Sequence, residues 1–457
     1  MTIQVVSPNN KAGERVQEKF GFEQLLKRRS PLSPDLNADI SDYMQALRTN
    51  ATTALERYSF PSTRDEEWRF TNLAPITALD WSAPMGETPE VTEHDLRNYR
   101  LPDVGPILVM VNGHYRADLS VGTTASGVTV GALSQPGVAA TVGPKLDQYL
   151  GQQLGLEQAF TTLNTASMTD VVVVWVAKGV AAPQSIQIQH ISTMGPTGPT
   201  LSHPRCLVVA EANSAVKIVE DYVCLGSETA SSPYFTNPVT EIYLEDNAAV
   251  THVRLQRDDT TSFHIGKTAV SQARTSRYTC HAINLGARIS RHNLEVFQAG
   301  EQTETTLNGL AMVTGQQLTD THSLIAYQHP HGTSKQLQKC IIDGSAHAVF
   351  NGKVNVPQAA QLTDASQLNR NLLLSTKGKV DTKPQLEIVA DNVKCTHGAT
   401  VSQLKADEVF YLQSRGIDAT RAQNLLIYAF AAEVFETIPI VSLKQSLVKT
   451  VEQFIQH

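Results

Sequence analysis

A cysteine and a histidine near the C-terminal end of the chain have the types and spacing of metal ligands. Cys395 and His397 are separated by one residue. In an extended strand such residues project from the same face, with Cα atoms roughly 6.5 to 7 Å apart. A thiolate and an imidazole so placed could bind one metal ion, but a structural zinc or iron–sulfur centre normally has about four protein ligands. The alternative is that Cys395 is a buried small apolar residue and His397 a hydrogen-bonded turn residue.

A group of histidines offers a second candidate metal site. His329 and His331 flank Pro330, and His322 lies a few residues earlier. Three imidazoles that share one face could bind a metal. Histidines beside a proline in a turn are more often hydrogen-bonded structural residues, and we favour that interpretation.

Three aspartates, Asp320, Asp343 and Asp364, recur at similar positions of successive segments. Paired carboxylates on one face of the fold would indicate a carbohydrate-active enzyme. Aspartates near turns usually bond the backbone instead, which favours a structural role. The sequence contains no Walker motif, dinucleotide fingerprint or nucleophile elbow, so nothing in it indicates that the chain hydrolyses nucleotides itself.

The composition is that of a soluble globular protein of 457 residues, with 41% apolar and 18% charged residues. The net charge of −7 and the scattered basic residues argue against nucleic-acid binding. No leader sequence is evident, and no apolar stretch approaches the ~20 residues that span a bilayer. The five cysteines are far apart and unpatterned, which is typical of free thiols in a reducing compartment. We therefore expect a cytoplasmic protein without membrane contact.

The period of the apolar residues divides the chain into three parts. Apolar residues three and four apart indicate helices near both ends. Helices are predicted over 22–27, 40–58, 407–415, 420–435 and 443–455. Between them, short β-rich runs alternate with glycine- and proline-rich connections. We predict an N-terminal helical domain over 1–100, a β core over 101–392 and a largely helical C-terminal domain over 393–457.

Turn residues recur ahead of strand starts in the β-rich part. They are Asn213, Asn247, Gly286, Gly315 and Gly344, and the last three are separated by steps of 29 residues. A regular return of turn and strand without helices is typical of stacked β-coils, since each coil buries its apolar face against the next. The sequence thus predicts a mainly β protein with a right-handed β-helix, or a related solenoid, as its core. A flat β-sandwich is the alternative.

The alternation within one strand predicts which side chains face the core. In the segment 250–256, Val253 and Leu255 are expected to point inward. His252, Arg254 and Gln256 are then expected to face solvent or a partner.

Several motifs, in the same order along the chain, resemble the SufB/SufD family of iron–sulfur cluster assembly proteins. The most specific is Asn-Val-Lys-Cys-Thr-His-Gly-Ala-Thr-Val at 392–401, followed by Glu-Val-Phe-Tyr-Leu-Gln-Ser-Arg-Gly-Ile at 408–417. Segments 65–73, 328–334 and 369–374 are similar to other landmarks of the family. The resemblance covers the chain from about residue 65 to 417, and it also implies a β-helical core between helical ends.

The resemblance implies a non-enzymatic subunit of a scaffold that contains a SufB-like chain, a SufD-like chain and an ABC-type ATPase, SufC. Nascent iron–sulfur cluster would form where the two β-helices pair, with His397 and its neighbour Cys395 at the site. Helices after Arg415 would dock on the ATPase. The apolar residues of that surface are Leu425, Leu426, Ala429, Phe430 and Phe435. Reduced flavin is a further ligand that the family raises, although no residue here marks a flavin site.

The chain is most similar to the SufD branch of the family. SufB-like chains have a sulfur-accepting cysteine in the segment that corresponds to 369–373, and this sequence has none there. A homodimer of the isolated chain is also compatible with the resemblance. Two other function classes stay open at this point: an extracytoplasmic-type β-helix carbohydrate-active enzyme, and a purely structural interaction protein.

Overall fold

The computed structural model describes residues 20–84, 89–122, 125–226 and 232–456. Its strands form two long sheets, and most of its helices lie near the two ends of the chain. The helices are α1 (Phe22–Leu26), α2 (Ala38–Leu55), α3 (Ala74–Thr77), α4 (Glu93–Leu96), α5 (Pro136–Val142), α6 (Ala159–Ser167), α7 (Ala406–Gln413), α8 (Ala419–Phe435) and α9 (Val441–Gln456), with 3₁₀ turns at Glu66–Trp68, Arg97–Tyr99 and Gly143–Gln148.

The strands, in chain order, are β1 (Ile107–Val111), β2 (His114–Tyr115), β3 (Val128–Ala132), β4 (Val172–Val176), β5 (Ile186–Thr193), β6 (Thr200–Ser202), β7 (Arg205–Ala210), β8 (Ala215–Leu225), β9 (Tyr234–Thr236), β10 (Val239–Leu244), β11 (Ala249–Arg257), β12 (Phe263–Gln272), β13 (Arg277–Asn284), β14 (Ile289–Gln298), β15 (Glu304–Val313), β16 (Leu318–Tyr327), β17 (Thr333–Ile342), β18 (His347–Val356), β19 (Asp364–Leu373), β20 (Lys379–Ile388) and β21 (Lys394–Ser402). Sheet A has the spatial order β2-β1-β5-β8-β11-β13-β15-β17-β19-β21. Sheet B has the order β20-β18-β16-β14-β12-β10-β7-β4-β3, with β6 and β9 at its side.

Successive strands from β10 onward alternate between the two sheets, and each pairs in parallel with the strand two places later. In sheet B, Ile289 pairs with Leu318 and Leu318 with His347. One coil therefore consists of one strand from each sheet, and the coils stack along an axis. This confirms the β-solenoid prediction, and the parallel pairing of the stacked strands excludes the flat sandwich.

Left-handed backbone conformations mark one corner of the coils, where the chain passes from sheet B to sheet A. Asn213 (φ 61°), Asn247 (φ 57°) and His331 (φ 64°) lie at this corner. The backbone N–H of Asn213 donates to the carbonyl of Asp246 (2.9 Å), and that of Asn247 donates to the carbonyl of Arg274 (2.8 Å), each in the next coil. Asparagine tolerates this conformation better than most residues. His331 is thus a corner residue of the fold.

The opposite corner contains Ala287 (φ 67°), Gly315 (φ 62°) and Gly344 (φ 59°). The predicted repeat placed Asn213 and Asn247 in one series with Gly286, Gly315 and Gly344. That was wrong, because the asparagines and the glycines lie at different corners. The irregular step from Asn247 to Gly286 runs from one corner to the other, whereas the regular steps of 29 residues stay at one corner.

The predicted orientation of strand β11 was also wrong. Val253 and Leu255 lie in the apolar cluster that includes the C-terminal helices, so they point outward from sheet A. His252, Arg254 and Gln256 are buried between the two sheets. Alternation shows that the two faces of a strand differ in polarity, but the outer face here is apolar because helices cover it.

The interior contains a buried polar cluster around Glu220. This carboxylate accepts hydrogen bonds from His252 Nε2 (2.8 Å) and Thr240 Oγ1 (2.9 Å). Burial alone would lower the pKa of His252, but its contacts with Cys280 and Glu220 raise that pKa to about 9. A protonated His252 therefore balances the buried carboxylate at neutral pH.

The N-terminal part packs on the outer face of sheet B, and the helices predicted over 22–27 and 40–58 are confirmed as α1 and α2. Arg205 of β7 donates to Asn164 Oδ1 of α6 (3.0 Å) and, through Nε, to Glu241 Oε1 of β10 (3.1 Å). The Arg291 guanidinium lies 3.9 Å from the centre of the Trp68 ring. These buried charges and the ring fix the N-terminal elements on the solenoid.

The C-terminal helices α8 and α9 cover the outer face of sheet A. Ile427, Val434 and Leu443 are buried there against Leu310 and Ile341. The helices predicted over 407–415, 420–435 and 443–455 are confirmed as α7, α8 and α9. The predicted boundary after residue 392 falls too early, because β21 pairs with β19 and belongs to the solenoid. Among the described residues, no helix is both long enough and apolar enough to cross a bilayer.

Candidate functional site

The solenoid ends at strands β20 and β21, which form its open end. β20 pairs with β18 and β21 with β19, and no other strand of the described residues pairs with their outer edges. Ile388, Val389 and Val401 are 40%, 65% and 49% exposed at this end. Edge strands with exposed apolar side chains are templates for pairing with another chain. The open end therefore has the chemistry of a subunit interface.

Cys395 and His397 lie on β21 at the open end, two residues apart in a regular strand. Cys395 is in register with Ala365, is half-buried and packs against the interior core, whereas His397 is in register with Gln367 and is exposed. Both belong to the inner face of the strand, as their spacing predicts. Burial and the Asp364 carboxylate raise the pKa of the Cys395 thiol, although a backbone hydrogen bond to Ala365 opposes this. The thiol is therefore protonated at neutral pH, and a metal ion would have to displace its proton in order to bind.

Two protein ligands are all that this pair provides. In the part of the chain that the structure describes, no three side chains of histidine, cysteine, aspartate or glutamate converge in a metal-binding group. An iron or zinc site at Cys395 and His397 would take its remaining ligands from another molecule. The metal role of the two residues remains a prediction.

A ladder of buried amides runs through the interior beneath His397. Gln367 Nε2 donates to Gln336 Oε1 (2.9 Å), and Gln336 Nε2 donates to Ser323 Oγ (2.7 Å). Gln336, Gln367 and His397 occupy the same register position in three successive coils. The sequence interpretation missed Gln367. The feature of the sequence that could have identified this glutamine is the coil period, since positions 336, 367 and 397 are separated by 31 and 30 residues.

The predicted ATPase-docking residues divide into exposed and buried ones. Leu425 is 43% exposed, Ala429 is exposed, and Leu426 and Phe430 are half-buried. Phe435 is fully buried in the cluster that joins α8 and α9 to sheet A, so its assignment to a docking surface was wrong. Its place at the end of α8, where the helix turns back toward α9, gives it a structural role.

A groove between α8 and α9 contains the exposed leucine. Its volume is about 310 Å³, and its lining is mostly apolar. The lining residues are Arg421, Asn424, Leu425, Tyr428, Val448, Glu452, Ile455 and Gln456. We refer to these residues as the α8–α9 groove. Its apolar floor and charged rim are typical of a helix- or loop-binding surface.

The three histidines of the second candidate metal site do not form one group. His322 Nε2 lies 3.0 Å from Asp320 Oδ1, and its Nδ1 lies 3.2 Å from Glu67 Oε2. His329 and His331 lie at the corner between β16 and β17, where the backbone N–H of His331 donates to the carbonyl of Gln361 (3.0 Å). These contacts favour the structural interpretation of the histidines.

The three aspartates are likewise separated. Asp320 is buried in sheet B, where it accepts hydrogen bonds from Arg291 Nη1 (2.8 Å) and Thr71 Oγ1 (2.6 Å). Asp343 follows β17 at a corner, and Asp364 begins β19 in sheet A. The three aspartates thus lie in separate places and do not form the carboxylate pair that the carbohydrate-active alternative needs.

A cavity of about 550 Å³ lies between the N-terminal elements and sheet B. Its size suits a small molecule. Its two most buried cations already have anionic partners, since Lys267 pairs with Glu295 and Arg291 with Asp320. The phosphate of a flavin would have to compete with these carboxylates. These two cations are therefore not free to bind a flavin phosphate.

Two family models together match nearly the whole chain. Residues 191–430 match the model described as "SUF system FeS cluster assembly, SufBD core domain". Residues 24–188 match the "SufBD protein N-terminal region". The core model begins within β5, covers the rest of the solenoid and extends into α8.

Three relatives illustrate the similarity. An iron–sulfur cluster assembly SufBD family protein of Synechocystis is 46% identical over 405 residues, which is 88% of each chain. The chloroplastic protein ABCI7 of Arabidopsis thaliana is 33% identical and covers 93% of this chain and 89% of its own. The iron–sulfur cluster assembly protein SufD of Escherichia coli is 32% identical and covers 87% of this chain and 90% of its own.

Proposed function

This chain belongs to the SufB/SufD family of iron–sulfur cluster assembly proteins, and on that premise we propose that it is the SufD-like subunit of a cluster-assembly scaffold. In this proposal it has no catalytic activity of its own. It pairs with a SufB-like paralogue and with an ABC-type ATPase of the SufC kind. The observation that carries the proposal is the open end of the solenoid, which presents Cys395 and His397 beside the outer edges of β20 and β21.

The nascent cluster is the substrate of this complex, and its site is shared between two chains. Cys395 and His397 supply two ligands, which is about half of what an iron–sulfur cluster takes. The paralogue's own open end would lie against β20 and β21 and supply the others. A site divided in this way exists only in the assembled complex, so assembly and cluster formation are coupled.

The α8–α9 groove is the proposed docking surface for the ATPase. Helix α8 is also tied to the coils next to the open end. Lys339 Nζ of β17 donates to the carbonyl of Phe430 (2.9 Å), and Arg370 of β19 lies 3.5 Å from Glu433. A movement of α8 would therefore shift the strands that neighbour β21. We propose that closure of the ATPase on ATP shears the paired solenoids and alters the cluster site. ATP-independent cross-linking between the two solenoids would contradict this.

The free thiols support a cytoplasmic location for the complex. All five cysteines are unbridged in the structure. Cysteines in this state persist in a reducing compartment, where disulfides are rare.

Replacing Leu425 by glutamate is expected to weaken binding of the ATPase about tenfold, because a carboxylate would lose its water inside an apolar groove. Leu425 is 43% exposed, so the chain itself should fold normally. The measurement is recovery of the ATPase and the SufB-like paralogue on this chain, tagged and coexpressed with both. The matched control is Gln423→Glu, which adds the same charge to an exposed position of α8 outside the groove.

The experiment separates the proposed function from its alternatives. Wild-type recovery of the ATPase on Leu425→Glu would exclude the α8–α9 groove as its docking surface. Recovery of neither partner on the wild-type chain would contradict the complex. A chain recovered only with copies of itself would indicate a homodimer and a purely structural role.

A further inference from the structure

The amide oxygen of Gln367 is a buried acceptor without a partner. The side chain is 3% exposed, and within the described residues its Oε1 atom accepts no hydrogen bond. Leaving a buried carbonyl unpaired costs free energy, and buried polar groups in proteins are nearly always satisfied. We infer that Gln367 is a positioning residue for His397: when the exposed imidazole turns toward the interior, the Gln367 oxygen accepts its ring N–H. This inference rests on the proposed function of His397.

The neighbours of the amide fix its direction. Gln367 Nε2 is bonded to Gln336 in the coil below (2.9 Å). The same nitrogen lies close to Gly352 of the facing sheet B, since a Cβ built on that glycine would be 2.3 Å from Gln367 Nε2. Because the two branches of a planar amide diverge, the oxygen points away from Gln336. The residue in register with Gln367 in the coil on the other side is His397.

The contact would prepare the imidazole for metal binding. A histidine that donates one ring N–H to an oxygen holds its ring in one orientation and one tautomer. The other ring nitrogen then keeps its lone pair free for iron. The ladder from Ser323 through Gln336 to Gln367 would hold the acceptor in place, because each amide in it is bonded to the next.

The test is the exchange with water of the His397 ring N–H, measured by NMR on the isolated full-length chain with ¹⁵N-labelled histidine. The His397→Ala variant identifies the signal. In Gln367→Met, which keeps the length of the side chain but removes the acceptor, exchange is expected to accelerate about tenfold. Gln338→Met is the matched control, because Gln338 is also 3% exposed on the inner face and its register partner is Asn369. Gln367→Glu retains an acceptor and is expected to keep the N–H protected.

A second readout is the iron content of the assembled complex, which is expected to fall about tenfold in Gln367→Met, as is usual when the partner of a metal-bound histidine is removed. Unchanged N–H exchange in Gln367→Met, or an N–H that already exchanges fast in the wild type because water occupies the position, would overturn the inference whatever the complex does. Faster exchange with unchanged iron would leave the contact standing and contradict the proposed role of His397.

Discussion

Replacing both Val389 and Val401 by aspartate is expected to weaken binding of the SufB-like paralogue at least about 100-fold, because two carboxylates would be buried without partners in the interface. The two valines are 65% and 49% exposed at the open end, so the isolated chain should keep its stability. The measurement is the dissociation constant between the purified chain and the paralogue, by calorimetry or by sedimentation.

Val121→Asp is the matched control for this experiment. Val121 is also an exposed valine, at 42%, but it bridges to Ile107 of β1, which lies at the other end of sheet A. Its substitution is expected to leave the affinity unchanged. Equal affinities for the wild type and the double variant would show that the two chains do not meet at β20 and β21.

Arg205→Met is expected to destabilise the chain by about 3 to 5 kcal/mol, because it leaves the Glu241 carboxylate buried without its cation. Arg205 and Glu241 are both fully buried in the structure. Arg205 also joins β7 to Asn164 of α6, so its loss should first release the N-terminal elements from sheet B. The shift in the urea midpoint of unfolding measures the effect.

The double variant Arg205→Met, Glu241→Gln is expected to recover at least half of the lost stability. It removes the buried charge and keeps an amide oxygen for the backbone N–H of Gly151, which donates to Glu241 at 3.0 Å. Arg274→Met is the surface control, since Arg274 is 59% exposed and lies 3.8 Å from Asp246. A loss of less than 1 kcal/mol in Arg205→Met would show that the pair is not important for stability.

The architecture could be predicted from the sequence because a solenoid repeats one local pattern. The regular glycine steps at Gly286, Gly315 and Gly344 reflect real corners of successive coils. The direction in which strands face could not be predicted in this way. Val253 and Leu255 are apolar because helices α8 and α9 cover the outer face of sheet A, while the interior holds charged residues such as Glu220. Only long-range packing decides which face of the strand is inside.

The candidate site was predictable in part. The spacing of Cys395 and His397 within a strand was enough to place both on one face, and the family motif singled them out. Gln367 could not be recognised from its neighbours in sequence, because its relation to His397 follows from the register of two coils. Phe435 illustrates a second limit of prediction from the sequence. An apolar residue on a helical period can face either the core or a partner, and here it faces the core.

The most direct test of the account is the iron content and visible absorbance of the anaerobically purified complex, formed with the paralogue and the ATPase, for the wild type and for His397→Ala. His329→Ala, which removes an exposed imidazole from a corner of the solenoid, is the control. Both variants are expected to assemble, and only His397→Ala is expected to lose the cluster. An assembled His397→Ala complex with undiminished cluster would contradict this expectation and would place the chemistry outside this chain.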